Sequence, residues 1–262
     1  MKKSVFIYLG ITFFISFIII FFFSDISPNK KNNPLKILFI GNSYTFNNEL
    51  PLLVKEMKIE KNWDLSIEIK AFTPGGAKLK DHLNSPFTLD TIRNGNWDII
   101  VIQGHSLEPL MNPVGFNDAA TDLIKITKES GAVVFLFETW SRAKGNSIYD
   151  EAWSGRNPES MQKKLSIKYN EIAQNSNVTV IPIGSIWQKI MAENKEIELY
   201  SIDGSHPSQI GSYLTACIIY KYIFNDDPKK INYIPSEVKE SEAKILRQYA
   251  TIFESTTAKN DL

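Results

Sequence analysis

From Leu35 onward, short apolar runs alternate with longer stretches of helical periodicity. The runs are Leu35–Ile40, Leu65–Phe72, Asp98–Ile102, Ala132–Phe137 and Val178–Ile183, rich in Ile, Val, Leu and Phe. Several are apolar at successive positions rather than alternate ones, the pattern of a strand covered on both faces. Between and after them the spacing predicts helices over Leu50–Lys61, Leu79–Arg93, Asn117–Ser130, Glu159–Ser176, Ile186–Asn194, Gln209–Phe224 and Pro235–Glu254. Such β–α alternation predicts an α/β domain, a doubly wound parallel sheet with helices on both faces in three layers. A sheet of that kind builds its site at the carboxyl ends of its strands, so residues just after each apolar run carry the functional question. Ser141 to Pro158 is a long loop after the fourth run, and loops of that length in compact domains are commonly functional.

The N-terminus follows a different pattern. Lys2 and Lys3 precede an uncharged run from Val5 to Phe23, about 19 residues rich in Ile and Phe. That is close to the ~20 that span a bilayer, and no Ala-x-Ala-like cleavage site follows. Residues 1–23 are therefore expected to be an uncleaved membrane anchor, with a cleaved signal peptide as the alternative. Residues 24–33 read as a polar linker, 34–255 as the globular domain and 256–262 as a disordered tail. The domain is expected outside the cytoplasm, membrane-tethered or secreted if the segment is removed.

Composition narrows the chemistry. Lys plus Arg and Asp plus Glu are 29 each, so no excess of charge points to nucleic acid. The lone Cys217 lies in an apolar run, and no Cys/His cluster has zinc-like spacing. The expected chemistry therefore uses ordinary side chains, with neither metal nor organic cofactor.

Two short segments carry that chemistry. The first run leads into Gly41-Asn42-Ser43-Tyr44-Thr45, which places a serine at the mouth of the sheet beside a helix N-terminus. Backbone N–H groups there can hold an oxyanion, although Asn42 or Ser43 would equally serve as a helix cap. It is not a Gly-x-Ser-x-Gly elbow, because Thr45 occupies the second glycine position. Near the end, Asp203-Gly204-Ser205-His206-Pro207 puts an acid three residues before a histidine. A carboxylate at that spacing can turn onto Nδ1 and leave Nε2 to accept a proton. Of His82, His105 and His206, only His206 has such an acid with turn residues between them.

Taken in order, Gly41-Asn42-Ser43, Gly75-Gly76 after the second run, a polar cluster after the third, and Asp203-x-x-His206 resemble the SGNH (GDSL-like) hydrolase superfamily. The resemblance covers about Leu35 to Phe224. It implies a flavodoxin-like sheet of about five strands, and a serine esterase acting on acetylated carbohydrate or on lipid acyl chains. Residue by residue it implies Ser43 as nucleophile, Asp203 as orienting acid and His206 as base. The N–H groups of Ser43 and Gly76 become oxyanion donors. Asn42 replaces the commoner Asp. Where the family typically reads Gly-x-Asn-Asp, this chain has Gln103-Gly104-His105-Ser106; Gln103 is the expected third donor and His105 the alternative.

Beyond the fourth run, Glu138, Trp140 and Arg142 fall on the same side, and Trp140, Arg142 and Trp153 are candidates for the substrate pocket. Tyr149 or Trp153 would stack on a sugar ring. The expected partners are a small-molecule or glycan ester and, through the N-terminal segment, a membrane. Two alternatives stand beside the esterase: a catalytically silent glycan-binding module, and an acyltransferase that passes the acyl group to a carbohydrate hydroxyl.

Overall fold

The computed structural model describes residues 33–61 and 66–253. The apolar N-terminal segment, the linker up to residue 32 and the tail from residue 254 lie outside the described residues. Among the described residues no helix is long and apolar enough to cross a membrane.

Five strands form one parallel sheet: β1 (Leu35–Ile40), β2 (Ile67–Phe72), β3 (Ile99–Gln103), β4 (Val133–Phe137) and β5 (Thr179–Ile181), in the order β2-β1-β3-β4-β5. β1 pairs with both β2 and β3, as in Ile40↔Phe72 and Ile40↔Ile102. The chain leaves β1 to one side to make β2 and returns to the other to make β3. The crevice at the carboxyl ends of β1 and β3 is thus the topological switch point, where such sheets bind ligands.

Alternate residues of the strands feed two separate cores, which is why the runs read as continuously apolar. Ile37, Phe39, Ile99, Val101, Phe135 and Phe137 face one layer, whose helices are α2 (Leu50–Lys61), α8 (Ile183–Glu193), α9 (Gln209–Phe224) and α10 (Glu240–Tyr249). Leu38, Ile40, Ile100, Ile102, Val134 and Leu136 face the other, packed by α4 (Pro86–Asn94), α6 (Pro113–Glu129) and α7 (Pro158–Ser176). Helix α9 is buried on nearly all sides, from Gly211 to Tyr220 without a break. A helix apolar all round belongs in the interior.

Expectation and structure differ where a turn residue intervenes. The helix expected over Leu79–Arg93 is two, α3 (Leu79–Leu83) and α4. Pro86 has no N–H to continue the ladder and disfavours helical backbone at Ser85, which is extended and caps the Thr88 N–H with its hydroxyl. The expected helix over Pro235–Glu254 is limited to α10; a Pro235–Val238 turn precedes it. Four short helical segments were not anticipated: α1 (Ser43–Phe46), a 3-10 turn at Asn47–Glu49, α5 (Glu108–Met111), and a 3-10 turn at Pro228–Lys230. The Ser141–Pro158 loop holds two further 3-10 turns, Ser147–Asp150 and Ala152–Ser154.

Candidate active site

The segment that carries Ser43 is held from three directions. Asn42 is extended, and its side-chain oxygen caps the Tyr44 N–H, so α1 starts at Ser43. The buried Gln103 at the end of β3 accepts from the Asn42 N–H at 2.9 Å and from Thr45 Oγ1 at 3.0 Å. The buried His82 on α3 meets the Gly41 carbonyl at 2.8 Å through Nε2. Because a carbonyl only accepts, Nε2 carries the proton. Burial lowers the His82 pKa, and the bond to Gly41 only partly offsets this. Gly41 itself is obligatory: a Cβ there would lie 2.5 Å from Gln103 Oε1 and 2.8 Å from Thr45 Oγ1.

Asn42 also donates through Nδ2 to the Ala77 carbonyl at 3.0 Å, tying the serine turn to the Gly75-Gly76 loop. Gly76 has φ +69°, and a Cβ on it would meet nothing within 4 Å, so the loop presents open backbone. Ser43 is the first residue of its helix, where an N–H has no partner four residues back. No backbone partner is found for the Ser43 or Gly76 N–H among the described residues.

The second half comes from a loop closed by a bridge between Tyr200 and Pro207, with Ser201 N–H donating to the His206 carbonyl at 2.8 Å. Gly204 makes the reversal at φ +63°. Inside that loop Asp203 accepts through Oδ1 from the N–H groups of Ser205 and His206, both at 2.9 Å. Its Oδ2 lies 2.5 Å from His206 Nδ1. An ionised carboxylate only accepts, so Nδ1 carries the proton and Nε2 presents its lone pair. Ser43 Oγ stands 2.8 Å from that Nε2 across 163 residues of chain. Burial pushes the Asp203 pKa up, but the His206 ring and the two N–H groups outweigh it, leaving the carboxyl below its ordinary value.

Tyr44 joins the halves. Its ring stacks on Trp140 (centroids 4.5 Å apart, planes 7° apart) and meets the His206 ring edge-on at 5.5 Å. Its hydroxyl bonds Ser205 Oγ at 2.9 Å and receives an N–H from Arg142. The Trp140 indole donates to the Ser205 carbonyl at 2.9 Å. Asn48, held at φ 55°, donates to the Pro207 and Ser208 carbonyls and to Ser212. Tyr44, His82, Asn48 and Ser205 were not singled out by the sequence. Adjacency to Ser43 and His206 was the only available sign for Tyr44 and Ser205.

Other expected site residues take different places. Gln103 is committed to the serine turn, and its amide nitrogen donates to the neighbouring Gly104 carbonyl. Turning the amide over would set an N–H against the Asn42 N–H, so this orientation is fixed. Gln103 therefore braces the turn and offers no exposed donor, contrary to the expectation for it. His105 is partly exposed; burial first, then Arg142 and Lys78, lower its pKa, with Asp81 opposing them. Trp140 is fully buried between Tyr44 and Trp187, the second ring 4.0 Å away at 4°, and so offers no face to a substrate pocket, contrary to the expectation for it. Trp153 and Tyr149 pack on a small core of Leu107, Met161 and Leu165. The Tyr149 hydroxyl donates to the Arg142 carbonyl at 2.5 Å. Arg142 remains at the cleft, bonded to Tyr44 and to Ser106 Oγ at 3.0 Å. Among the described residues no group of three or more His, Cys, Asp or Glu could hold a metal ion.

The fold has solved relatives. A protein from Slackia heliotrinireducens assigned to the SGNH hydrolases superposes with TM-score 0.63 at 27% identity, covering 72% of this chain and 98% of its own. The chain has the SGNH, or GDSL-like, hydrolase fold. A DUF4886 family protein from Bacteroides uniformis superposes on the chain at TM-score 0.67 and 18% identity, covering 83% of this chain and 93% of its own. An acetyl xylan esterase from Geobacillus stearothermophilus does so at TM-score 0.56 and 15% identity, covering 77% and 97%. No family model matches the sequence, and no curated protein matches it at a significant level.

Proposed function

We propose that the protein is a serine ester hydrolase working through an acyl-enzyme on Ser43. The observation that carries this reading is the continuous line Ser43 Oγ–His206 Nε2 at 2.8 Å and His206 Nδ1–Asp203 Oδ2 at 2.5 Å. These are already the hydrogen-bond distances that proton transfer requires. Ser43 attacks the ester carbonyl while His206 takes its proton at Nε2. Asp203 holds the ring in the needed tautomer and stabilises the imidazolium that forms. The oxyanion is received by the N–H groups of Ser43 and Gly76, with His105 the remaining side-chain candidate; preorganised donors of this kind cost nothing to reorient during reaction. The protonated His206 then gives its proton to the departing alkoxide, and the neutral ring takes a proton from the water that hydrolyses the acyl-enzyme and releases Ser43.

Hydrolysis is favoured over transfer because the base is open to solvent, with the His206 and Asp203 side chains 34% and 45% exposed. An acetyl ester on a carbohydrate is the substrate class to try first. Its support is a likeness of fold to esterases of acetylated xylan. The test is fluorophosphonate labelling of the wild type and of Ser43→Ala, with acetyl and longer p-nitrophenyl esters assayed in parallel. A covalent adduct and turnover, both lost in Ser43→Ala, are expected. A folded wild type that neither labels nor turns over any ester would instead indicate a silent binding module.

A further inference from the structure

Among the described residues Arg142 is the one cation hydrogen-bonded to Tyr44, the residue next to Ser43. The side chain is only partly exposed. Two of the five guanidinium donors go to neutral hydroxyls, those of Tyr44 and Ser106. Hydroxyls fix the orientation of the fork without neutralising it. Among the described residues no carboxylate lies within ion-pair distance of Arg142. The nearby acids are engaged elsewhere. Asp203 is taken by His206 and two backbone N–H groups, and Asp81 accepts from the Lys78 N–H at 2.8 Å.

The guanidinium also lies over the Tyr44 ring, 5.7 Å from its centroid, a contact that favours the cation but leaves its charge without an anionic partner. Tyr44 is in any case already held by Ser205 and by its stack on Trp140. The charge is felt across the cleft: Arg142 acts on Tyr44, Tyr149 and Tyr200 and, with Lys78, on His105. Of the charges acting on His105, Arg142 contributes most, ahead of Lys78, and Asp81 opposes them. His105 adds a donor. Its Nδ1 faces the Leu107 N–H at 3.5 Å, which leaves the proton of the neutral ring on Nε2.

We propose that Arg142 is a carboxylate receptor, and that the ester taken by this site carries an anionic carboxylate in its acyl or its alcohol part. The inference rests on the esterase reading given above. The fork is oriented before substrate arrives, which is what bidentate recognition of a planar anion requires. Arg142 is thereby a specificity-determining residue.

The test uses the full chain in mild detergent and two matched pairs of esters. One pair is mono-p-nitrophenyl succinate and its methyl-capped form. The other is O-acetylated glucuronic acid and its methyl ester. The wild type should favour the anionic member of one pair by about tenfold or more in kcat/KM, the range of a hydrogen bond to a charged group. Which pair shows the preference tells whether the anion sits in the acyl or the alcohol part. In Arg142→Gln the ratio should fall to near one, and Arg142→Lys should lie between because it keeps the charge but loses the fork. Loosening of Tyr44 would slow both members of a pair alike, so the ratio separates recognition from bracing. Equal rates within both pairs in the wild type, or a preference kept in Arg142→Gln, overturns the proposal. Should no ester be turned over, the esterase reading fails while the receptor remains testable by calorimetric titration of succinate and glucuronate. Wild-type binding that is lost in Arg142→Gln supports the receptor; absent or equal binding overturns it.

Discussion

Glu138 allows a prediction that can be worked from structure to number. It follows β4 and is fully buried. Its Oε1 accepts from Gln162 Nε2 at 2.9 Å, from Ser185 N at 2.7 Å and from Ser185 Oγ at 2.8 Å. Oε2 has no partner. Burial penalises the charged form more than those bonds favour it, and the pKa rises from 4.5 to about 7. Below about pH 4.5 the carboxyl is protonated in both the folded and the unfolded chain, and stability does not depend on it. Between about 4.5 and 7 the folded state keeps the proton that the unfolded state has lost, so stability falls as pH rises. Above about 7 both states are ionised and the loss is complete. At about 1.4 kcal/mol per pH unit of displacement, the full loss is on the order of 3 kcal/mol.

Glu138→Gln keeps the accepting oxygen and the shape but cannot ionise, so this part of the pH dependence should vanish. Urea unfolding of both proteins from pH 4.5 to 8.5 reads it directly. The variant's advantage should grow across the interval by about 3 kcal/mol, worth roughly 6–12 °C in Tm for a domain of this size. A difference between the two proteins that stays constant with pH would refute the reasoning, as would one that shrinks as pH rises.

Two further outcomes follow from the site. In Asp203→Asn the one remaining oxygen is claimed by the Ser205 and His206 N–H groups, so the amide NH2 faces Nδ1 and turns His206 towards the wrong tautomer; kcat should fall by about 10³–10⁴ with the fold retained. Steady-state kinetics checks this, and a loss under tenfold would contradict the assigned role. Trp140→Ala empties the space between Tyr44 and Trp187 and frees the Ser205 carbonyl. Urea unfolding should show a loss of about 3–5 kcal/mol together with reduced kcat. A raised KM at unchanged stability would instead return Trp140 to a substrate-contacting role.

Much of the frame was legible in the sequence because it is periodic. β1, α2 and α9 begin and end where the pattern of apolar residues places them. Runs apolar at successive positions implied a sheet covered on both faces, and the two cores divide the strand residues alternately between those faces. The strand-end rule drew attention to Ser43 after β1, the Asp203-x-x-His206 spacing to His206, and the resemblance to SGNH hydrolases to Gly76. The break in the Leu79–Arg93 helix was written in Ser85-Pro86 as well, a local rule of backbone geometry.

What the sequence by itself determined was therefore the order of elements and which strand ends carry reactive side chains, since both depend on neighbours along the chain. The direction in which a loop side chain points depends on neighbours in space, and only the tertiary structure decided it. Trp140 and Arg142 are two residues apart on one loop, yet one is sealed between two aromatic rings and the other stands at the cleft. Gln103 has the chemistry of an oxyanion donor, but the Asn42 N–H and the Thr45 hydroxyl turn its carbonyl inward. Tyr44 ties the Ser43 turn to the His206 loop through contacts with Ser205 and His206 that span more than 160 residues of sequence. No periodicity records contacts of that range, because they exist only once β1 and the His206 loop have been brought to the same end of the sheet.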